Sequence, residues 1–258
     1  MKSFFTVIYA LACVIFLAFG LYQWTTNTTV HIEASNQTTI EEPVDPKLAK
    51  IEQLLPLTKN WPQQSVERFK QALETDTTFN IVIVGSTALG GESGWAVQTK
   101  TKLLESYGTE HMNVEILEYD LTTADFIDDK LVELAALKGD LVLLEPFILN
   151  DNAGLIKIDD TLTNLTLIID TVKQANSETV FLLQPAHPIF QAKRYPVQIS
   201  ELKQYATKNN IPFLDHWSSW PDSNTEEIKE YLVKDQSQPN EMGHQLWSEF
   251  ITNQLISK

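Results

Sequence analysis

Hydroxyls, an amide, carboxylates and imidazoles recur at loop positions along this sequence. Ser86-Thr87 lies within Gly85-Ser86-Thr87-Ala88-Leu89-Gly90-Gly91. Further on come Glu145, Asn150-Asp151, His187, Asp215-His216-Trp217 and Asp235-Gln236-Ser237-Gln238. Such a set suits acyl chemistry. A hydroxyl attacks an ester carbonyl when a base takes its proton and fixed donors hold the oxyanion that forms.

Each of these positions follows a short apolar run except Asp235–Gln238, which precedes the last helical stretch. Asn80–Val84, Asn113–Leu117, Asp140–Leu144, Thr179–Leu183 and Ile211–Leu214 have the length and continuous apolar character of buried parallel strands. Helical spacing separates them, over Trp95–Tyr107, Thr123–Leu137, Ile158–Ala175, Pro196–Lys208 and Asn240–Ile256, with two more helical stretches at Pro46–Leu55 and Pro62–Leu73. The alternation predicts a three-layer α/β/α sandwich around a five-stranded parallel sheet, whose chemistry sits at the carboxyl ends of the strands.

Two phosphate-binding readings fail on the residues. A P-loop requires Lys after its second Gly, and Gly91-Glu92 stands there; a dinucleotide fingerprint requires G-x-G-x-x-G, and position 87 is Thr.

The pattern from Asn80 to the C-terminus resembles the SGNH or GDSL hydrolases, esterases and acylhydrolases on a parallel-sheet fold. Gly85-Ser86-Thr87-Ala88-Leu89-Gly90-Gly91 is similar to their G-D-S-x-x-x-G block, Ile148-Leu149-Asn150-Asp151 to G-x-N-D, and Asp235-Gln236-Ser237-Gln238-Pro239-Asn240-Glu241-Met242-Gly243-His244 to D-x-x-H-P-N-x-x-G-H. The resemblance implies Thr87 in the place of the nucleophilic serine, Ser86 in that of the preceding Asp and Gln238 in that of the base histidine. It implies Asn150 as a side-chain oxyanion donor and Asp235 as the carboxylate that orients an imidazole. No glycine lies between Leu117 and Asp125 to supply the second-block donor, and a position near Thr122 takes its place.

Gln238 does not protonate near neutral pH, so on this mapping Thr87 has no base. Two routes restore one: His187 or His216 substitutes for it, or the Ser86 hydroxyl replaces that of Thr87. The plainer readings are a loop hydrogen bond for His187, a packed ring for His216, helix packing for His244 and a turn cap for Asp151. Glu145 is either a functional carboxylate or one that turns to solvent. Trp217 with Trp220, Tyr195 and Phe190 either stacks on a sugar or closes over the core. Glu145, Asp151, Gln238 and Trp217 complete the candidate substrate-binding set. Nothing in the spacing requires a metal or other cofactor.

The 258 residues suffice for one sizeable core, and a net charge of -15 argues against a nucleic-acid partner. Phe4 to Tyr22 carries no charge and has about the length, on the order of 20 residues, of a membrane-spanning helix. Lys2 before it and Tyr22 and Trp24 after it suit an N-in signal-anchor. A cleaved signal peptide, or a lipoprotein modified at Cys13, are the rival readings; all three place the rest of the chain outside the cell. The expected organisation is an anchor over 1–24, a Thr/Asn/Glu-rich stalk over 25–45 and an α/β domain over 46–258. The expected function is an extracytoplasmic, membrane-tethered ester hydrolase acting on an envelope carbohydrate ester, or else a catalytically inactive module of that fold that binds an envelope glycan or protein.

Overall fold

The computed structural model describes residues 46–258. The expected membrane anchor and stalk lie outside the described residues, and no helix among the described residues is long and apolar enough to cross a membrane.

Four parallel strands form the sheet: β1 (Phe79–Gly85), β2 (Met112–Glu118), β3 (Leu141–Leu144) and β4 (Val180–Leu183), in the order β2-β1-β3-β4. β1 is the hub. Val84 pairs with Leu117 on one side and with Leu144 on the other, and Leu144 pairs with Leu183. Every residue of β3 and β4 is buried, which requires cover on both faces of the sheet and explains their unbroken apolar sequences.

The expected fifth strand is reduced to one bridge, between Phe213 and Leu183. Pro212 has no N–H for a longer ladder; its carbonyl accepts from Leu183 N–H, and Leu214 N–H returns to the Leu183 carbonyl. The sheet therefore has four strands, not five.

The helices are α1 (Pro46–Leu54), α2 (Gln63–Thr75), α3 (Trp95–Tyr107), α4 (Thr123–Asp129), α5 (Leu131–Ala136), α6 (Ile148–Ala153), α7 (Ile158–Ala175), α8 (Tyr195–Lys208) and α9 (Glu241–Leu255). The single helix expected over Thr123–Leu137 is broken at Lys130, whose φ of -129° departs from helical geometry. α6 is additional to the helices expected from spacing.

At the amino ends of the strands Trp61, Phe69, Phe79 and Tyr107 make one aromatic cluster, with ring centroids 5.3–5.6 Å apart. The Trp61 indole and the Tyr107 hydroxyl both donate to the Leu255 carbonyl and so secure the end of α9. Nearer the carboxyl ends, Trp247 stacks between Trp95 and His216. These two aromatic groups fix the frame on which the strand-end loops rest.

Candidate functional site

β1 ends at Gly85, and the chain turns at once through Ser86 into a short 3-10 turn, Thr87–Leu89. The Ser86 hydroxyl is buried and accepts from Ala88 N–H at 3.3 Å, so it caps the turn. Thr87 is half-buried and reaches a cleft of about 660 Å³. That cleft also takes in Thr122, Asn150 and Asp235. Four of the residues expected at the site, from four separate segments of the chain, therefore meet in one concavity.

Each is held by its own local structure. Thr122 caps α4: its hydroxyl accepts from Asp125 N–H and donates to the Asp125 carboxylate at 2.7 Å. Asn150 lies in α6 and donates one amide N–H to the Asp120 carboxylate at 3.1 Å. Asp235 is exposed and accepts from the Ser237 hydroxyl and N–H; these two bonds hold its carboxyl below the usual aspartate range.

No imidazole lines this cleft. His187 is fully buried, and its Nε2–H donates to the Gln236 carbonyl at 3.1 Å. With Phe190 N–H donating to the Gln236 side chain at 2.8 Å, this bond clamps the Asp235–Ser237 turn from below. Gln236 itself is in the left-handed region, at φ +61°. Burial pushes His187 down to about 4, so the ring is neutral.

His216 is also fully buried and lies flat on Trp247 at 4.1 Å. Its Nε2–H donates to the Pro185 carbonyl at 2.9 Å while Nδ1 accepts from the Trp220 indole at 3.0 Å, so both nitrogens are satisfied. Burial lowers it to about 3. Neither histidine expected as a substitute base hydrogen-bonds Thr87: His216 has both nitrogens engaged, and His187 keeps a buried Nδ1 with no protein partner. The loop-bond and packed-ring readings describe where the structure puts them.

The remaining expected residues also serve other surroundings. Glu145 is fully buried below the Ser86 turn, and its Oε2 accepts from Ser86 N–H at 2.8 Å. Asp151 points away from the cleft and accepts from Thr123 N–H, the Thr123 hydroxyl and the Thr161 hydroxyl, tying α6 to α4 and α7. Trp217 is partly buried, donates to the Ala186 carbonyl and packs edge-on against Tyr195, against the core rather than on the cleft. Gln238 lines a neighbouring cleft with His244.

Two cleft carboxylates escaped the sequence reading, Asp120 and Asp125. Asp120 stands two residues beyond the end of β2. A carboxylate in that position was the available signal, hidden by the search for a glycine there. Asp120, Asp125 and Asp235 give the cleft three carboxylates with no lysine or arginine in its wall. Among the described residues no group of histidines, cysteines and carboxylates is arranged to hold a metal ion.

No family model matches this chain, and no curated protein matches it in sequence. Solved structures do match in fold. A protein assigned as a GDSL-like lipase from Parabacteroides merdae superposes with a TM-score of 0.60 at 14% identity, over 69% of this chain and 95% of that one. An acetylxylan esterase from Geobacillus stearothermophilus gives 0.57 at 15%, over 69% and 94%, and a carbohydrate esterase family 3 protein from Talaromyces cellulolyticus gives 0.59 at 12%, over 69% and 96%. The domain has the SGNH/GDSL hydrolase fold.

Proposed function

We propose that this chain is an extracytoplasmic, membrane-tethered protein that uses an SGNH-type cleft to bind an acyl ester on an envelope glycan, without imidazole-driven turnover. The observation that carries the reading is the wall of the Thr87 cleft. It keeps a hydroxyl at Thr87 and an amide donor at Asn150, and it contains no histidine. Binding an ester carbonyl needs donors, and Asn150 has a second N–H beyond the one given to Asp120. Cleaving the ester needs the Thr87 proton removed, and a triad that loses a member loses several orders of magnitude in rate. The fold neighbours include esterases of acetylated carbohydrate, which supports an ester-bearing sugar as ligand. The apolar run Phe4–Tyr22 supports the tether and the outward location.

A second reading is hydrolysis with Asp235 as base, favoured because Asp235 and Thr87 line the same cleft. One experiment separates the two. The full-length chain in detergent is titrated calorimetrically with an O-acetylated oligosaccharide while acetate release is followed. Binding that weakens about tenfold in Asn150→Ala, with release no faster than the uncatalysed rate, is the expected result. Release abolished by Thr87→Ala and by Asp235→Asn establishes the hydrolase instead, and absence of binding overturns the proposal.

A further inference from the structure

On the far side of the Thr87–Gly90 turn lies a second cleft, of about 950 Å³, between α3 and the start of α9. Its wall includes Gly90, Gln98, Thr101, Lys102, Gln238 and His244. The partition between the two clefts is thin. Thr87 faces the first and Gly90 the second; Asp235–Ser237 line the first, and Gln238–Glu241 the second.

The floor of the second cleft is built rather than incidental. His244 is only 8% exposed, and its Nδ1 accepts from Trp95 N–H at 3.3 Å, so the proton sits on Nε2. Nε2 has no protein acceptor among the described residues. Gly90, at φ +93°, lets the ring approach: a Cβ there would stand 2.3 Å from His244 Cε1. Burial lowers His244 to about 4, which keeps it a neutral donor.

We infer that the two clefts are subsites for one extended, uncharged oligosaccharide, with the acyl-bearing unit at Thr87 and the neighbouring units across Gly90 against Gln98, Gln238 and His244. The inference rests on the ester-binding reading of the first cleft and adds the ligand's length and charge. Both volumes fall in the range of about 300–1,000 Å³ typical of ligand pockets. Amides and hydroxyls both give and accept hydrogen bonds, and the His244 Nε2–H gives one, as a sugar's hydroxyls require. The charges exclude a polyanionic glycan. The first cleft has three carboxylates and no cation, and in the wall of the second Lys102 is outnumbered by Glu92, Glu105 and Glu241.

The test compares O-acetylated xylo-oligosaccharides of two and six units, titrated against the full-length chain in detergent. The inference expects the six-unit ligand to bind at least ten times more tightly. Thr101→Trp places an indole in the second cleft from an exposed position on α3, and should bring that ratio to about one. Thr101→Ala should keep it above three. Equal affinities in the unmodified chain, or a ratio unchanged by Thr101→Trp, overturn the inference while ester binding at Thr87 stands. Failure of both ligands to bind overturns both readings.

Discussion

Glu145 Oε2 accepts the Ser86 N–H at 2.8 Å, and by that bond a fully buried carboxyl on the β3 loop sets the turn that carries Thr87. The contact is tight: a Cβ on Gly85 would lie 2.8 Å from Glu145 Cβ, so the strand must end in glycine for the carboxyl to pass beneath it. Glu145 N–H donates to the Val84 carbonyl and its own carbonyl accepts from Phe147 N–H. The same residue thus braces the turn before α6, the helix that bears Asn150. Its second oxygen has no protein partner, and neither do the Tyr195 hydroxyl and Gln184 Nε2.

Burial raises the Glu145 carboxyl above its usual value of 4.5, against the lowering effect of the Ser86 hydrogen bonds. The unfolded chain therefore loses this proton first as pH rises, and Glu145 subtracts stability from about pH 4.5 upward until its folded-state value is reached. Glu145→Gln keeps the acceptor for Ser86 N–H and removes the titration. Its melting temperature relative to the unmodified chain should climb as pH rises above about 4.5. A difference that stays flat over that range would mean Glu145 is ionised in the folded protein.

The histidines act in the opposite sense. His187 and His244 at about 4 and His216 at about 3 all lie below the unfolded value of 6.5, each through burial. As pH falls below 6.5 the unfolded chain takes up protons that the folded chain refuses, so stability present above 6.5 is lost down to about pH 4 and below. At about 1.4 kcal/mol per pKa unit, the three shifts together amount to a loss on the order of 10 kcal/mol. With Glu145 working against them, the stability maximum should fall near about pH 6.5. Imidazole proton shifts would check the cause: the three rings should remain neutral at about pH 5.

The sequence shows its strands readily because β3 and β4 are covered on both faces and need no alternation to announce them. It hides α6, whose six residues are too few for a helical period to register. It also hides which way a strand-end side chain leaves. His187 and His216 follow β4 and the Phe213 bridge as expected, yet their rings turn inward, that of His216 under the aromatic cover of Trp220 and Trp247. Spacing places a residue along the chain, whereas packing decides its direction. The Asp235–Asn240 segment shows the same limit, because the left-handed Gln236 sends Asp235 and Gln238 to different clefts.

Asp151 shows how a residue that suits a site by spacing can serve the frame instead. It is 1% exposed and accepts from Thr123 N–H at 2.7 Å and the Thr123 hydroxyl at 2.8 Å, besides Thr161. Asn164 then donates to the Thr123 hydroxyl, so α4, α6 and α7 share one buried network. Asp151→Ala leaves several buried donors unpaired and should cost about 3 kcal/mol in urea unfolding, with an unchanged slope. Asn150 rides on the same helix, so ester affinity should fall in parallel. Loss of affinity with no loss of stability would put Asp151 on the ligand instead.

The last prediction concerns the missing base. If chain order alone decided the chemistry, Thr87→Ser with Gln238→His would rebuild the fold's hydroxyl and imidazole and return activity. The geometry predicts otherwise. Gln238 lines the cleft that holds His244, and the Val233 N–H bond to its carbonyl together with the Leu232–Pro239 bridge fixes the segment that carries it. Ser237, one residue earlier, lines the Thr87 cleft. Ester hydrolysis by the double variant Thr87→Ser with Gln238→His should therefore stay within about threefold of the unmodified chain. Thr87→Ser with Ser237→His should instead raise it by about ten- to a hundredfold, the lower part of what a positioned base contributes. Initial rates of acetate release measure both. A large gain from position 238 would show that its side chain reaches across the partition, and would make the residue type at 238, rather than the direction of the loop, the reason that no imidazole serves Thr87.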